Sequence, residues 1–293
     1  MLLLLALLQQ IDSTVPVQRG QRLEVSSFAG EIAVKTWNRN AVRVEAEPGG
    51  RTSVEIDRSA TSLTVKTEGR RGPPSMVDLV ITAPSWMALD LSGVNTDMSV
   101  TGMRGPISVE TVQGEVEVEG GQGLVSLQSV QGSVSLTGAK GSLEVHSVNE
   151  DVRVSASSGE VTAETVNGDI TLTRVDGSSV TASSVNGDLD YDGAIRNGGR
   201  YAFSTHNGSI TVTVPPGSNA AVSVSTFNGE FASEFPVTLT ETRKGKRFSF
   251  TIGTGSAQMT LESFQGSIEL VRPRSYRGAR DRDHDRDPDH DEH

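Results

Sequence analysis

Thr111-Val-Gln-Gly-Glu-Val-Glu-Val118 is followed after 18 residues by Ser129-Val-Gln-Gly-Ser-Val-Ser-Leu136, and related octets occupy residues 147–154, 165–172 and 184–191. This repeat decides the fold, because a fixed period of this length is typical of stacked repeat architectures. The amide residue at the centre of the octet and the glycine that usually follows it are the residues that we expect at the corners of the fold. They are Gln113, Gly114, Gln131, Gly132, Asn149, Asn167, Gly168, Asn186, Gly187, Asn207, Gly208, Asn228, Gly229, Gln265 and Gly266.

Apolar residues keep strand spacing inside each unit. Val116 and Val118 are two residues apart, and both positions have apolar counterparts in the units that follow. Side chains two residues apart in a strand point to the same face, so this spacing predicts strands with one buried face. A second glycine lies nine or ten residues before each corner glycine position, at Gly105, Gly123, Gly141, Gly159 and Gly177. Each unit therefore predicts two short strands and two bends.

Two folds satisfy this pattern. Asn-Gly between alternating apolar residues is a strong hairpin signal, which would give an antiparallel meander. In the other fold the same dipeptide turns the corner of a coil, and each unit stacks in parallel on the next. Stacking requires a near-constant unit length, and stacked amide side chains can form hydrogen-bonded ladders. We therefore predict an all-β, parallel β-solenoid with 18-residue coils, right-handed as crossover connections usually are, with positive φ at the corner glycines.

The chain divides into four parts on this basis. Residues 1–16 form a signal-like apolar N-terminus, in which the run at residues 2–8 is too short to span a membrane but suits a secretory signal. Residues 17–92 predict a leading β segment that caps the solenoid. The repeats occupy residues 93–272 with an insertion at about 232–260, and the charged segment 273–293 is expected to be disordered. We expect export to the periplasm, the cell envelope or the exterior.

Composition excludes several classes of function. The net charge of −11 opposes binding to phosphate backbones, so no nucleic-acid partner is expected. The absence of cysteine excludes disulfides, zinc–thiolate sites and iron–sulfur clusters. No segment beyond the N-terminus is long and apolar enough to predict a membrane span in the mature chain. No cofactor is expected, because the sequence has no phosphate-binding loop and no nucleophile elbow.

One row of acidic residues could carry chemistry. Asp151, Asp169 and Asp188 follow successive corners, and stacked coils would place them about 4.8 Å apart. Such a row could hold calcium, as stacked acids do in some solenoid polysaccharide lyases. The simpler interpretation is that each aspartate bonds the backbone of its own corner. We therefore predict no catalytic residue and no metal site.

The histidines predict no site either. His146 lies in an outward column beside Glu164, where a surface role is expected. His206 interrupts the apolar series that precedes the corner amides, and we expect it to be partly buried and structural. The tail, for which a solubilising role is expected, contains His284, His290 and His293.

The repeated Ser/Thr-Val-Asn/Gln-Gly motif, the strand Val77-Asp-Leu-Val-Ile-Thr-Ala-Pro84 and the opening Phe28-Ala-Gly-Glu-Ile32 resemble the bacterial DUF4097 family of adhesin-like β-repeat proteins. The resemblance covers residues 20 to about 272. It implies an exported β protein without established catalysis, and it supplies no catalytic residues to transfer. The leading hypothesis is a structural or adhesin-like binding module of the cell envelope, not an enzyme, whose partner is a protein or a cell-surface polymer. The alternative is a carbohydrate-active solenoid enzyme with a weak calcium site on the aspartate row.

Overall fold

A computed structural model describes residues 11–47, 52–69, 75–236 and 246–273 of the chain. These ranges contain strands and turns and no helix, so the prediction of an all-β fold is confirmed. The charged tail beyond residue 273 and the apolar run at residues 2–8 lie outside the described residues. Ile11–Pro16, which the sequence assigns to the signal-like segment, forms a strand that pairs with Ala41–Ala46.

The N-terminal part of the molecule contains strands of unequal length. They are β1 (Ile11–Pro16), β2 (Arg22–Trp37), β3 (Ala41–Ala46), β4 (Thr52–Arg58), β5 (Ser62–Gly69), β6 (Leu79–Pro84) and β7 (Ala88–Met103). β7 crosses residue 92, where the sequence placed the end of the leading segment, so the regular repeat begins within that segment.

The repeats form pairs of longer and shorter strands. They are β8 (Ile107–Gln113), β9 (Val116–Gly120), β10 (Gln122–Gln131), β11 (Val134–Thr137), β12 (Lys140–Ser147), β13 (Val152–Ser155), β14 (Ser158–Asn167), β15 (Ile170–Asn186), β16 (Leu189–Gly193), β17 (Arg200–Asn207) and β18 (Ile210–Thr213). The last part contains β19 (Ala220–Asn228), β20 (Phe231–Ser233), β21 (Lys246–Ile252), β22 (Ala257–Gln265) and β23 (Ile268–Val271). The final coil thus begins at Ala257, inside the segment 232–260 that the sequence assigned to an insertion.

Successive repeats stack in parallel with their equivalent residues aligned. In the long layer, which contains β8, β10, β12, β14, β17, β22 and β19, Val109 aligns with Leu127 and Leu127 aligns with Val145. In the short layer, which contains β9, β11, β13, β16, β18, β23 and β20, Val118 aligns with Leu136. β2, β7 and β15 bend and contribute to both layers. The corner dipeptides therefore connect stacked strands and do not form the hairpins of an antiparallel meander; the right-handed sense of the coil stays a prediction.

The side chains that point inward from both layers form one hydrophobic cluster. Most coils contribute Val, Leu or Ile, and each such side chain contributes roughly 1.5–3 kcal/mol when buried. Three buried rings replace them toward the C-terminal end: Tyr191 lies 5.9 Å from Tyr201 and 4.9 Å from Phe203 between ring centroids. Burial raises the pKa of Tyr191, so its hydroxyl stays protonated and donates to the carbonyl oxygen of Ala194 at 2.7 Å.

The corner glycines are required for a different reason than the one predicted. Gly114 has a φ of +143°, but Gly168, Gly187, Gly208 and Gly229 do not adopt left-handed backbone, so the prediction of positive φ is wrong for them. Each corner glycine lies against the corner of the coil below. A Cβ atom on Gly168 would lie 2.3 Å from the carbonyl oxygen of Glu150, which is too close for any side chain. The glycine is therefore needed for the close approach of two backbones.

A column of buried hydroxyl groups satisfies the same corner carbonyl groups. Thr165 donates to the carbonyl oxygen of Glu150 at 3.0 Å, and Ser184 donates to that of Gly168 at 3.1 Å. The column consists of Thr111, Ser129, Ser147, Thr165, Ser184, Thr205, Ser263 and Thr226, all of them buried. Because an unpaired buried carbonyl is costly, these hydroxyls explain why Ser or Thr opens every octet. In the sequence, this position served only to define the motif, and no role was predicted for it.

The order of strands in space departs from their order in the chain at both ends. At the C-terminal end β22 lies between β17 and β19, in parallel with both, although β19 precedes it in the sequence. At the N-terminal end β2 lies between β5 and β7. Antiparallel strands follow the outermost parallel ones: β21 pairs with β19, and β4 pairs with β5. These two strands end the parallel stack of the long layer and cover the outer edges of β19 and β5.

Candidate functional site

Six of the predicted corner amides form an amide ladder along one side of the molecule, in two hydrogen-bonded runs. Asn207 Nδ2 donates to Asn186 Oδ1 at 2.7 Å, Asn186 donates to Asn167 at 2.8 Å, and Asn167 donates to Asn149 at 3.0 Å. Gln113 and Gln131 are joined in the same way at 2.7 Å. The amide groups of these residues are therefore used to hold neighbouring coils together.

The aspartate row is used in a similar way. Asp151 Oδ1 accepts a hydrogen bond from the backbone N–H of Asp169 at 2.9 Å, and Asp169 Oδ1 accepts one from Asp188 at 2.8 Å. Arg153 contacts the other oxygen of Asp151 at 2.6 Å. Each carboxylate thus bonds the corner of the next coil, which differs from the prediction that it bonds its own corner. Within the part of the chain that the structure describes, no group of three or more His, Asp or Glu side chains is arranged to hold a metal ion.

The two histidines of the repeats lie in different surroundings. His146 is on the outward face of β12, with Nδ1 3.4 Å from Glu164 Oε2, and no nucleophile is placed beside the pair in the hydrogen bonds of the described residues. His206 is exposed, not partly buried as expected from the sequence. Its ring stacks on that of Phe264, with centroids 4.7 Å apart and an interplanar angle of 4°.

Apolar side chains that the core does not use form a continuous row beside the amide ladder. Val112 is 47% exposed, and its equivalents in the other coils are also exposed or half-buried. In spatial order this outer ladder consists of Phe28, Val94, Val112, Val130, Val148, Val166, Val185, His206, Phe264 and Phe227. At a strand spacing of about 4.8 Å, it extends for roughly 43 Å. An exposed row of this length that is apolar at every position except His206 is typical of an interaction site.

Strand alternation could have located the outer ladder from the sequence alone. Val112 is two residues from Glu110, which points outward, and one residue from Thr111, which is buried. The same alternation holds in every octet. In the sequence, this apolar position served only to define the motif, and no face was predicted for it.

The ladder ends in three aromatic rings. Phe264 lies between His206 and Phe227, and its centroid is 4.9 Å from that of Phe227 at an interplanar angle of 2°. An open groove of about 450 Å³ runs beside the rings. Its lining includes Ser204, Ser225, Arg247 and Glu262, so apolar rings and polar groups meet on one surface.

No helix in the described ranges has the length and apolar character needed to cross a bilayer.

Comparisons with known proteins place the fold in a family. Among curated proteins, none matches the chain. A solved structure of a candidate cell adhesion protein from Clostridium sporogenes is 9% identical and covers 90% of this chain and 100% of its own, with a TM-score of 0.22. A candidate adhesin from Parabacteroides distasonis is 12% identical, with coverage of 90% and 97% and a TM-score of 0.34. A candidate lipid-binding protein from the same species is 8% identical, with coverage of 89% and 96% and a TM-score of 0.28.

The family model described as Toastrack DUF4097 matches residues 20–271, which include all strands from β2 to β23. The resemblance noted from the octets is thereby confirmed over most of the chain. This protein therefore belongs to the Toastrack DUF4097 family.

Proposed function

We propose that this protein is an exported, non-enzymatic binding module that holds an extended partner along the outer ladder. The observation that carries the proposal is the exposure of the ladder itself. Valine at the position of Val112 contributes nothing to the core, since Thr111 and Val109 fill the interior of that coil. Nevertheless an apolar residue occupies this position in coil after coil. Contact between aligned β-branched side chains stabilises the sheet, and the apolar surface that the ladder still exposes is explained by contact with a partner.

The geometry of the ladder favours an extended partner over a compact one. Each coil presents the same groups at the same spacing, so a long molecule can make the same weak contact many times. Because the contacts are linked within one rigid surface, their contributions add up to a strong interaction even when each is small. The partner is a protein or a cell-surface polymer, as expected from the sequence. Export is part of the proposal and is supported by the apolar run at residues 2–8.

The lack of catalysis is also proposed, on the state of the acidic residues. The carboxylates of Asp151, Asp169 and Asp188 accept hydrogen bonds from backbone N–H groups of Asp169, Asp188 and Ser209. A carboxylate that accepts a backbone hydrogen bond has fewer free lone pairs for a cation. Its contact with the next coil is also sufficient to explain why an aspartate occupies this position.

Calcium should leave the stability of the protein unchanged. We expect millimolar calcium to shift the melting midpoint of the wild-type protein by no more than the measurement error, because the aspartate row is satisfied by the backbone. Differential scanning calorimetry with and without calcium tests this, with magnesium as a control for ionic strength. A calcium-specific rise that Asp169→Asn abolishes would support the carbohydrate-active alternative instead.

Replacing the valines of the ladder should weaken binding without unfolding the protein. The combined variant Val112→Ser, Val166→Ser, Val185→Ser should bind isolated bacterial cell envelopes at least about tenfold less tightly, which corresponds to ~1.4 kcal/mol spread over three contacts. Co-sedimentation of the purified protein with the envelopes measures this. Envelopes treated with protease or with periodate show whether the partner is protein or glycan.

The matched control removes exposed apolar surface elsewhere. Val80 and Leu124 are 37% and 53% exposed and lie away from the ladder. Val80→Ser with Leu124→Ser should therefore bind envelopes as the wild-type protein does. Equal loss in both variants, or no envelope binding by the wild-type protein, would contradict the proposed function.

A further inference from the structure

The aromatic end of the outer ladder is chemically distinct from the rest of it. Six consecutive coils place valine on the ladder, from Val94 to Val185, and the next three place His206, Phe264 and Phe227 there. Flat, parallel rings differ from valine in offering a broad apolar face at the end of the stack. The surface on which a planar ligand could stack therefore lies at one end of the solenoid.

Phe227 is the last ring of the stack. One of its faces is covered by Phe264, and the side chain is still 60% exposed, the largest exposure of any ladder residue quantified. Because Phe264 covers one face and the side chain is still 60% exposed, the other face of the ring can receive a planar partner of similar size.

Polar groups without partners of their own flank the rings. Arg247 and Glu262 are exposed and line the groove, and neither side chain makes a hydrogen bond or ion pair to another residue in the ranges that the structure describes. Ser204 and Ser225 add hydroxyl groups to the same lining. The groove therefore provides donors and acceptors together with one positive and one negative charge, which cancel.

A pyranose ring of a neutral glycan matches this combination. A sugar ring has an apolar C–H face that packs on an aromatic face, and hydroxyl groups at its edge that bond to guanidinium and carboxylate groups. Anionic ligands are disfavoured by Glu262 and by the net charge of −11. Purely apolar ligands are disfavoured because they would displace water from Arg247 and Glu262 without replacing its hydrogen bonds.

We propose that the aromatic end of the ladder is a subsite for one sugar ring of a neutral glycan, stacked on Phe227 and hydrogen-bonded by Arg247 and Glu262. The proposal rests on the proposed function, since it names the class of polymer that the ladder holds. The valine ladder then follows the rest of the glycan chain. The site is a binding site only, and no bond in the glycan is broken.

Titration with defined oligosaccharides tests the subsite. Isothermal titration calorimetry with cellohexaose, chitohexaose and maltohexaose should show binding of at least one of them to the wild-type protein. Phe227→Ala should reduce that affinity at least about tenfold, as truncation of a central aromatic anchor does. The pair of substitutions Arg247→Gln and Glu262→Gln should reduce the affinity as well, because it removes the polar half of the site while keeping the ring.

Leu124 provides the control. It is 53% exposed and lies outside the outer ladder. Leu124→Ala should leave oligosaccharide affinity unchanged, and melting curves should show that all variants are folded. Binding of none of the three neutral oligosaccharides, preference for an anionic one such as heparin hexasaccharide, or unchanged affinity in Phe227→Ala would each overturn the subsite.

The two proposals fail separately. If Phe227→Ala binds oligosaccharides as the wild-type protein does while the valine variant still loses envelope binding, the subsite is wrong and the binding module stands. If the wild-type protein binds neither envelopes nor oligosaccharides, both are wrong.

Discussion

Replacing Gly168 with valine should lower the free energy of unfolding by about 3 kcal/mol, at the upper end of the usual cost of overpacking. The cause is contact between backbones and not backbone strain. A Cβ on Gly168 would lie 2.3 Å from the carbonyl oxygen and 2.5 Å from the carbonyl carbon of Glu150, and neither atom can move without separating two coils. Chemical denaturation monitored by circular dichroism measures the loss.

Asparagine substitutions distinguish contact between backbones from backbone strain as the reason for glycine. Gly138 has a φ of +72° with open space around it, whereas Gly168 has no left-handed backbone and no space. Because asparagine tolerates the left-handed conformation, Gly138→Asn should cost less than about 1 kcal/mol. Gly168→Asn should cost nearly as much as Gly168→Val. Equal tolerance of asparagine at both positions would show that the corners of neighbouring coils do not touch.

Phe203→Ala should destabilise the protein by roughly 3–5 kcal/mol, the range found when a buried ring is removed from a core. Phe203 is 1% exposed, and its ring lies 4.9 Å from that of Tyr191. It aligns with Leu261 of β22, the strand that lies between β17 and β19. Removing the ring would leave a cavity between stacked coils. The coils cannot move together to fill it without breaking the register of their strands.

The same truncation at the surface is the control. Phe264 is 41% exposed, so Phe264→Ala removes an identical side chain without leaving a buried cavity. We expect it to cost about 1 kcal/mol through lost stacking on His206 and Phe227, well below the cost of Phe203→Ala. Thermal unfolding of both variants measures the difference. Similar losses for Phe203→Ala and Phe264→Ala would contradict the division between buried core and exposed ladder on which the proposed function depends.

The interior of the solenoid was predictable because residues one period apart in the sequence lie beside each other in neighbouring strands. Val118, Leu136 and Val154 are 18 residues apart and aligned in neighbouring strands, so their column could be read from spacing alone. The identity of the corner residues followed from the same period. The physical role of Gly168 could not be predicted in this way. It depends on the distance between the backbones of two coils, and no local sequence pattern indicates that distance.

The strand order at the ends could not be predicted for a related reason. Thr226-Phe-Asn-Gly229 and Ser263-Phe-Gln-Gly266 carry the same motif, so either segment suits the edge of β17 equally well in register and hydrogen bonding. The choice depends on connections between coils and on β21, which pairs only with β19 among the described strands. The candidate binding surface was missed for a simpler reason: the sequence contains the alternation that exposes Val112, but this position was used only to define the repeated motif.

The position of β22 between β17 and β19 has a consequence for biosynthesis. Residues 220–228 leave the ribosome before residues 257–265, yet the later segment occupies the inner position. This end of the molecule therefore cannot be completed in the order of translation, and the last coil must enter beside a strand that already exists. In an ordinary repeat protein, loss of the C-terminus removes the outermost layer. Here a chain terminated before Ala257 loses an internal one, and β17 and β19 are left facing each other.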